Sequence, residues 1–564
     1  MRKTIVTTLV AAAMLASCAP KKPLYYPAVR WMRDDDRRPI EMPKVSEREI
    51  ELDAVDSDTH REMERLLSST GAFAAGYQDV VTGGKQEALN VNNFDEVADS
   101  SWFQNRIGRR EVTIAEMVRG TAEAFKPSGA GPLEILSAKT EGVVPRVFVK
   151  DGGGRRFMLR FERPGLRGVG LGAEIVSSAI LNAAGYNLPK DALIELDTSR
   201  LVLGKDARTR DRYGEIRPMT DEDLKNIVAK ITGGKKGSVK AVSSAFFKGE
   251  YIGPFDFSGR RRGDKNDRIP HQHRRELRGY QMFCALLNIL LTSSSQTADV
   301  FLRTDGEKGY VEHYLFDLSS AFGGVGSWFK ASDDNEEHVG AKGTVANFLT
   351  LGIKDPGLDA KGPAEEFKFL GVGPFDPGKW SPRYNNEAFA HMTPRDEFWA
   401  ARILMRFSDG AIAAIVDRAG FPDAKVRDYV KKSLIARRDA IGRYAFSGLN
   451  PLDGFAIDGD GGSVSFSDLS VEYGFAKRDG TKYRYSLGSR MGRAVLAPWA
   501  ETRDTRVAMP GDLVTSMDPS RIYVLKIQTK RTGEEWWSSS VDVFLKRRDG
   551  GLDIQGIERR YGNH

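Results

Sequence analysis

The order of elements between residues 146 and 185 constrains the fold of this chain more than any other feature of its sequence. Arg146–Lys150 and Arg155–Phe161 alternate apolar and polar side chains around Asp151-Gly-Gly-Gly154, which predicts a β-hairpin. Gly168-Val-Gly-Leu-Gly172 follows, and then a helical pattern over Ala173–Ala184 that ends at Gly185. The chain is therefore predicted to form two strands, a glycine-rich turn and a helix in that order.

The glycine-rich turn has two interpretations. Free backbone N–H groups and the helix dipole favour anions at a helix N-terminus, so Gly168, Gly170 and Gly172 are candidates for binding the phosphates of a cofactor. The segment lacks the sixth-position glycine of the GxGxxG pattern. A plain loop is therefore the alternative.

The N-terminal sequence predicts the cellular location of the protein. The apolar run Ile5–Ala16 is shorter than the roughly 20 residues that a membrane-spanning helix needs, which favours a signal peptide. The run ends in Leu15-Ala-Ser-Cys18, which resembles the lipobox of bacterial lipoproteins. This resemblance implies that residues 1–17 are removed, that Cys18 receives fatty acids such as palmitate, and that the mature chain is anchored to a membrane of the bacterial envelope, facing the periplasm or the cell surface. An ordinary secretory signal is the alternative.

Composition predicts a soluble body with several domains, since 40% of the 564 residues are hydrophobic and 29% are charged. The 84 basic and 77 acidic residues leave a net charge of +7, too dilute for a nucleic-acid-binding stripe. Beyond Cys18 there is only Cys284, in an apolar stretch that predicts burial, so the mature chain is expected to have no internal disulfide. The expected partners are a membrane, through the anchor, and an envelope protein or polysaccharide.

Changes in residue composition and in predicted secondary structure divide the rest of the chain into regions. The segment that follows the signal peptide carries prolines and the charge run Arg33–Arg38, which favours a solvated tether, and Glu47–Leu67 predicts a short charged helix. The predicted regions are a tether and N-terminal extension over 18–89, an α+β region over 90–268, a helical region over 269–446 and a β-rich domain, similar to a small β-sandwich, over 447–564.

Residues that typically begin helices predict where the later helices start. Thr393 is predicted to cap a helix through Arg406, Ser408 to start a second helix, and Pro422 to open a third that reaches about Tyr444. Tyr310–Phe316 predicts a strand whose end delivers Asp317 to a loop. A carboxylate in that position can hold a divalent cation on a phosphate ligand, or serve as an ordinary turn residue.

Several segments together resemble a group of poorly characterised bacterial envelope proteins with a divergent protein-kinase-like domain. The resemblance spans roughly residues 90–446 and implies an α+β fold: a bilobal core with a β-rich N-lobe over 90–268 and a helical C-lobe over 269–446, followed by the β-rich domain. The segments that carry it are Asp95–Phe103, Phe157–Phe161, Ile269–Gly279, Asn288–Asp299, His313–Asp317, Trp380–Asn386 and Arg395–Ala401.

The resemblance implies ATP and Mg²⁺ as ligands and assigns roles by position. In kinases a strand Lys pairs with a helix Glu and grips the phosphates, while an Asn and an Asp hold the metal ions. The strand Lys falls on Arg160, the helix Glu on Glu174, and the metal-binding Asp on Asp317. The catalytic Asp falls on Leu291, and the metal-binding Asn falls on Gln296.

Leucine neither accepts a proton nor binds magnesium, so phosphoryl transfer by the usual route is expected to be lost. Three hypotheses follow. The chain is an inactive kinase-like module that binds or scaffolds partners; or an active phosphotransferase that uses Asp317 with Asp299 or His313 in rearranged roles; or a structural or polysaccharide-binding envelope protein with no relation to kinases.

The sequence leaves open whether two further sets of residues bind a ligand. Trp102, Trp380 and Trp399 could line a carbohydrate or peptide groove, although aromatic residues in such positions are more often part of the core. His271 and His273 are two residues apart with no third ligand nearby in sequence, so no metal site is expected there.

Overall fold

The computed structural model describes fifteen stretches of the chain. They are residues 35–45, 85–119, 126–139, 146–162, 168–210, 216–234, 237–318, 320–325, 328–329, 375–383, 385–421, 424–459, 461–489, 495–549 and 551–561. The predicted signal peptide, Cys18 and the predicted helix within Glu47–Leu67 lie outside these residues. The chain divides into two compact units, a large one of Met32–Asn90 and Val97–Gly448, and a small one that includes Val91–Glu96 and Leu449–His564.

A seven-stranded sheet forms the first half of the large unit, in the order β4-β7-β3-β2-β1-β5-β6. Only β1 and β5 run parallel; the other neighbours are antiparallel. The predicted hairpin is confirmed as β2 and β3. The strands are β1 (Leu133–Lys139), β2 (Arg146–Lys150), β3 (Arg156–Arg160), β4 (Asp191–Asp197), β5 (Leu201–Arg210), β6 (Ile216–Pro218) and β7 (Ser238–Ala245).

Different side chains pack on the two faces of this sheet. Val147 pairs with Leu159 on one face, and both join a hydrophobic core with Ile227 and Ile231 of helix α3 (Asp221–Thr232). On the opposite face Phe148 pairs with Met158, and Arg146 pairs with Arg160. Alternation along a strand therefore gives one face an apolar core and the other face two arginines.

The second half of the large unit is mainly helical. A three-stranded sheet, in the order β10-β9-β8, and the two-stranded sheet of β11 and β12 complete it. These strands are β8 (Glu250–Gly253), β9 (Thr297–Asp305), β10 (Lys308–Leu315), β11 (Gly324–Val325) and β12 (Trp328–Phe329). The remaining helices are α1 (Ile114–Arg119), α2 (Val169–Ala184), α4 (Arg275–Leu287), α5 (Glu387–Ala390), α6 (Pro394–Met405), α7 (Asp409–Arg418) and α8 (Ala424–Gly448).

The predicted helix starts are confirmed where the structure describes them. The Thr393 hydroxyl and the Asp396 carboxylate form a reciprocal capping box at α6, and the Ser408 side chain accepts a hydrogen bond from the Ala411 N–H at the start of α7. Cys284, in α4, is buried as expected. No helix in the described part of the chain is both long and apolar enough to cross a bilayer.

Two antiparallel sheets share one hydrophobic core in the small unit. One sheet has the order β13-β14-β17 and the other β16-β15-β18-β19-β20. Leu452 and Val464 from the first sheet, and Leu525 and Val543 from the second, are members of the same buried cluster. The elements are β13 (Leu452–Ile457), β14 (Ser463–Asp468), β15 (Thr481–Ser489), β16 (Val495–Thr502), β17 (Arg506–Ala508), β18 (Ile522–Arg531), β19 (Val541–Arg548), β20 (Gly551–Arg559), α9 (Leu469–Glu472) and α10 (Gly511–Ser516).

The end of the predicted tether docks onto the rest of the large unit, which corrects the expectation of a free segment. Ile40 forms a bridge with Gly309, with N–O distances of 2.7 and 3.0 Å. The Asp36 carboxylate accepts hydrogen bonds from the backbone N–H and the hydroxyl of Ser101, at 2.6 and 2.8 Å. The charge run and prolines suggested a free segment because sequence composition does not show these partners, which are distant in the chain.

Helix α2 packs closely against Phe421 at Gly172. A Cβ atom built on Gly172 would lie 2.7 Å from the Phe421 ring, which is itself 4% exposed. We expect Gly172→Ala to lower the free energy of unfolding by about 1–3 kcal/mol, because an overpacked core must shift its neighbours. Urea denaturation measures this change. The control is Gly152→Ala, where an added Cβ meets no atom within 4 Å; equal stability of the two variants would contradict the packing argument.

Candidate functional site

The N-terminus of α2 is filled by a side chain of the chain itself. The helix begins at Val169, so Gly170 and Gly172 lie inside it, and Gly168 caps it with a φ of 98°. The Glu162 carboxylate accepts hydrogen bonds from the backbone N–H groups of Gly168 and Gly170, the second at 3.2 Å. In this structure an internal carboxylate therefore takes two of the donors that a phosphate would need, and phosphate binding by the three glycines remains a prediction.

Arg160, at the end of β3, lies in a buried cluster of charges. Its Nη2 atom is 2.6 Å from Oε1 of Glu174, on α2, and 3.3 Å from Oδ1 of Asp191, at the start of β4. The three side chains are 4–5% exposed. The Ser244 hydroxyl, directly opposite Asp191 across the sheet, also donates to that carboxylate.

Arg146 holds Asp317 next to this cluster. Asp317 follows β10 in the left-handed conformation, with a φ of 52°, and its side chain is 3% exposed. Its carboxylate accepts a hydrogen bond from the Arg146 guanidinium. Arg146 faces Arg160 across the hairpin, so two adjacent arginines bind three carboxylates brought from α2, β4 and the segment after β10.

Burial and charge act against each other in the cluster. Burial would lower the pKa of Arg160, but the carboxylates of Glu174, Asp191 and Asp317 outweigh it and raise that pKa above its ordinary value. Burial raises the pKa of Glu174, and the positive charge of Arg160 opposes that rise. The guanidinium therefore stays charged, and its positive charge partly offsets the effect of burial on Glu174, whose pKa is still raised to about 7.

The loop that would carry the catalytic acid has no acidic side chain between Asn288 and Gln296. Leu291 is half-buried, and its backbone N–H donates to the Ser320 hydroxyl at 3.1 Å. The Gln296 side chain closes a turn, accepting from the Ser293 N–H at 3.1 Å and donating to the Ser295 hydroxyl at 2.7 Å. The amide at the metal-binding position is thus used within its own loop.

Asp299 and His313, the alternative catalytic candidates, form part of the core. They face each other across β9 and β10, with His313 Nδ1 2.6 Å from Asp299 Oδ1, and Arg261 donates to the other carboxylate oxygen at 2.7 Å. The Trp102 ring stacks on His313 with a centroid distance of 3.5 Å. Burial would raise the pKa of Asp299, but His313 and Arg261 lower it overall, so this carboxylate is a buried structural anion rather than an accessible base.

The residues present do not fit the magnesium ion that the kinase resemblance implies. A kinase site supplies the metal with an Asp and an Asn. In this chain Asp317 binds Arg146, and Gln296 binds Ser293 and Ser295. Among the described residues, no group of three or more His, Cys, Asp or Glu side chains is arranged to hold a metal ion.

The tryptophans singled out in the sequence belong to the core. Trp102, Trp380 and Trp399 are 3%, 2% and 1% exposed, so they form no groove. His271 Nε2 lies 2.8 Å from a buried Asp267 oxygen, which gives this histidine a structural partner.

Sequence analysis missed Arg146, Asp191 and Glu162. Arg146 could have been found, because a hairpin centred on Gly153 places residues 146 and 160 opposite each other, on one face. Asp191 and Glu162 have no comparable signal, since their partners depend on how β4 and the start of α2 pack.

Removing the Arg160 guanidinium would leave Glu174 and Asp191 buried without their cation. We expect Arg160→Met to lower the free energy of unfolding by about 3–5 kcal/mol in urea denaturation, because an uncompensated buried charge is strongly destabilising. The control is Arg156→Met at the exposed start of the same strand, where loss of a contact with the Phe246 ring costs less than about 1 kcal/mol. A similar small loss in both variants would show that the cluster is not energetically important.

The sequence matches no family model and no curated protein. Among solved structures, the chain is similar to the crystal structure of a Helicobacter pylori proinflammatory kinase, CtkA, with 14% sequence identity and a TM-score of 0.26. The similarity covers 57% of this chain and 94% of that one. It is weak and concerns the fold alone; this chain has the mixed α and β content, with several sheets, that the sequence predicted.

Proposed function

We propose that this chain is an envelope lipoprotein whose kinase-like large unit binds or scaffolds a partner and does not transfer phosphate. The observation that carries the proposal is the hydrogen bond between Arg146 and Asp317. It engages the one carboxylate that the kinase pattern assigns to the metal ion, beside a loop in which Leu291 stands at the position of the catalytic acid.

The Arg160–Glu174 ion pair supports the kinase-like part of the proposal. Kinases require such a pair between a sheet strand and the following helix, and here it joins β3 to α2 at 2.6 Å. In this chain an arginine stands where the kinase pair has a lysine. Guanidinium is a planar group that can bridge two carboxylates, whereas ammonium is a compact point charge. Arg160 reaches both Glu174 and Asp191 through one nitrogen, Nη2, which suits a structural clamp.

Burial of the other candidates supports the inactive form of the proposal over an enzyme with rearranged roles. Both Asp299 oxygens have partners, and His313 lies under the Trp102 ring. A general base must come within hydrogen-bond distance of its substrate. Neither group is exposed enough for that contact, since their side chains are 0% and 2% exposed.

The absence of transfer is testable with radiolabelled ATP. We expect the full chain, incubated with Mg²⁺ and [γ-³²P]ATP, to label neither itself nor a generic acceptor protein above background. Loss of a general base and of metal ligands costs several orders of magnitude in rate. Asp317→Asn should give the same background. Labelling by the wild type that disappears in Asp317→Asn but persists in Asp305→Asn, a change at the exposed end of β9, would refute the proposal.

The anchor is tested by detergent phase separation. We expect the wild-type chain, expressed in a bacterium that processes lipoproteins, to partition into the detergent phase, because acyl chains add about 0.8 kcal/mol of membrane affinity per buried CH₂. Cys18→Ser should move the chain to the aqueous phase. The matched control is Cys284→Ser, a buried position that should leave partitioning unchanged. A wild-type chain in the aqueous phase would disprove the anchor.

A further inference from the structure

The small unit exposes two tryptophan side chains, one on a strand of its five-stranded sheet and one in a segment between two strands of that sheet. Trp536 is 76% exposed and Trp499 is 45% exposed, whereas the tryptophans of the large unit discussed above are at most 3% exposed. Trp499 lies on β16, and Trp536 and Trp537 lie in the segment between β18 and β19. We call Arg484, Trp499, Trp536 and Trp537 the tryptophan platform. An exposed aromatic surface of this kind marks a binding surface more often than chance placement does.

Arg484 lies between two of these rings. Its guanidinium carbon is 4.7 Å from the ring centroids of both Trp499 and Trp537. Its Nε atom donates to Gln528 Oε1 at 2.7 Å, which fixes the plane of the guanidinium. Within the described residues no hydrogen bond engages its two terminal nitrogen atoms. A guanidinium fixed in this way offers two parallel donors, the geometry that matches a carboxylate.

Charged side chains surround Arg484 on the same face of the sheet. Register places Lys482 opposite Lys530, and Ser486 opposite Lys526, on the same face of the sheet as the Arg484–Gln528 pair. The acidic neighbour on β16 is Glu501, which lies 2.8 Å from Lys482. Carboxylates offset part of this positive charge, since Glu501 lies opposite Arg484 and Asp542 lies opposite Lys526. The expectation of a negatively charged ligand therefore depends on the edge of the Arg484 guanidinium, which offers paired donors to a carboxylate.

The tryptophan platform also discriminates between kinds of anionic polymer. β16 is an edge strand, where an extended peptide could add to the sheet, but Pro498 removes a backbone donor in the middle of it. The negative face of an indole instead attracts C–H groups, and a pyranose ring presents a flat array of them. Stacking on the exposed Trp499 indole therefore favours sugar rings over a peptide backbone.

We propose that the tryptophan platform binds an acidic polysaccharide, with sugar rings stacked on the indoles and a ring carboxylate paired with the Arg484 guanidinium. The site lies wholly in the small unit and uses none of the charges around Arg160. A test of this proposal is therefore independent of a test of the proposed inactivity of the large unit.

The probe is polygalacturonate, a chain of carboxylated pyranose rings, titrated into the full-length chain while tryptophan fluorescence and affinity electrophoresis are followed. We expect saturable binding that Arg484→Gln and Trp499→Ala each weaken by about tenfold or more, because each removes one of the two contacts. Thermal unfolding at the wild-type temperature shows that the variants are folded. The matched control is Arg521→Gln, an exposed arginine of the same unit that should bind as the wild type does.

Four results would overturn this proposal. One is no binding of polygalacturonate at millimolar galacturonate. Another is an equal loss of affinity in Arg484→Gln and Arg521→Gln, which would indicate diffuse attraction to a positive surface. The third is equal affinity for polyglutamate, an acidic chain without sugar rings, which would remove the role of the indole faces. A lack of binding to neutral dextran is the expected result, and tight binding to dextran would contradict the role of the carboxylate.

Discussion

The pairing of two arginines with three carboxylates on one face of the seven-stranded sheet is the interaction on which the large unit depends. Charges taken out of water cost several kcal/mol each unless every one has a partner, so the cluster is stable only when it is complete. Arg160 ties β3 to α2 and β4, and Arg146 ties β2 to the residue after β10. The hairpin, the helix and the segment after β10 are therefore held together by ion pairs whose carboxylates are buried.

The same pairing decides what chemistry the face can perform. A carboxylate held by a guanidinium is a poor ligand for a divalent cation, because the cation would have to displace a charged hydrogen-bond donor in a buried setting. Asp317 is in this position. Glu162 has an equivalent effect at the N-terminus of α2, where its carboxylate takes the backbone donors that a phosphate would use. Positions that could hold a ligand are thus filled by side chains of this protein.

Local signals in the sequence predicted helices and strands. The arrangement of the candidate site depends instead on packing between residues that are far apart in the chain. The hairpin of β2 and β3 and the helix starts at Thr393 and Ser408 follow from turn glycines and capping residues close in sequence. The pairing of Asp299 with His313 inside the core, the role of Asp191 and the docking of Ile40 onto Gly309 depend on residues far apart in the chain. Sequence analysis therefore treated a buried carboxylate as a catalytic candidate and a docked segment as a tether, because neither composition nor periodicity reports burial of a polar group.

Manganese binding tests the central claim, that Asp317 is committed to Arg146, most directly. Mn²⁺ substitutes for Mg²⁺, and its free form is measured by electron paramagnetic resonance as it is titrated into the full chain with ATP. The account predicts that the free Mn²⁺ signal matches a protein-free titration with the same nucleotide. A stoichiometric amount of protein-bound Mn²⁺ that disappears in Asp317→Asn would contradict it.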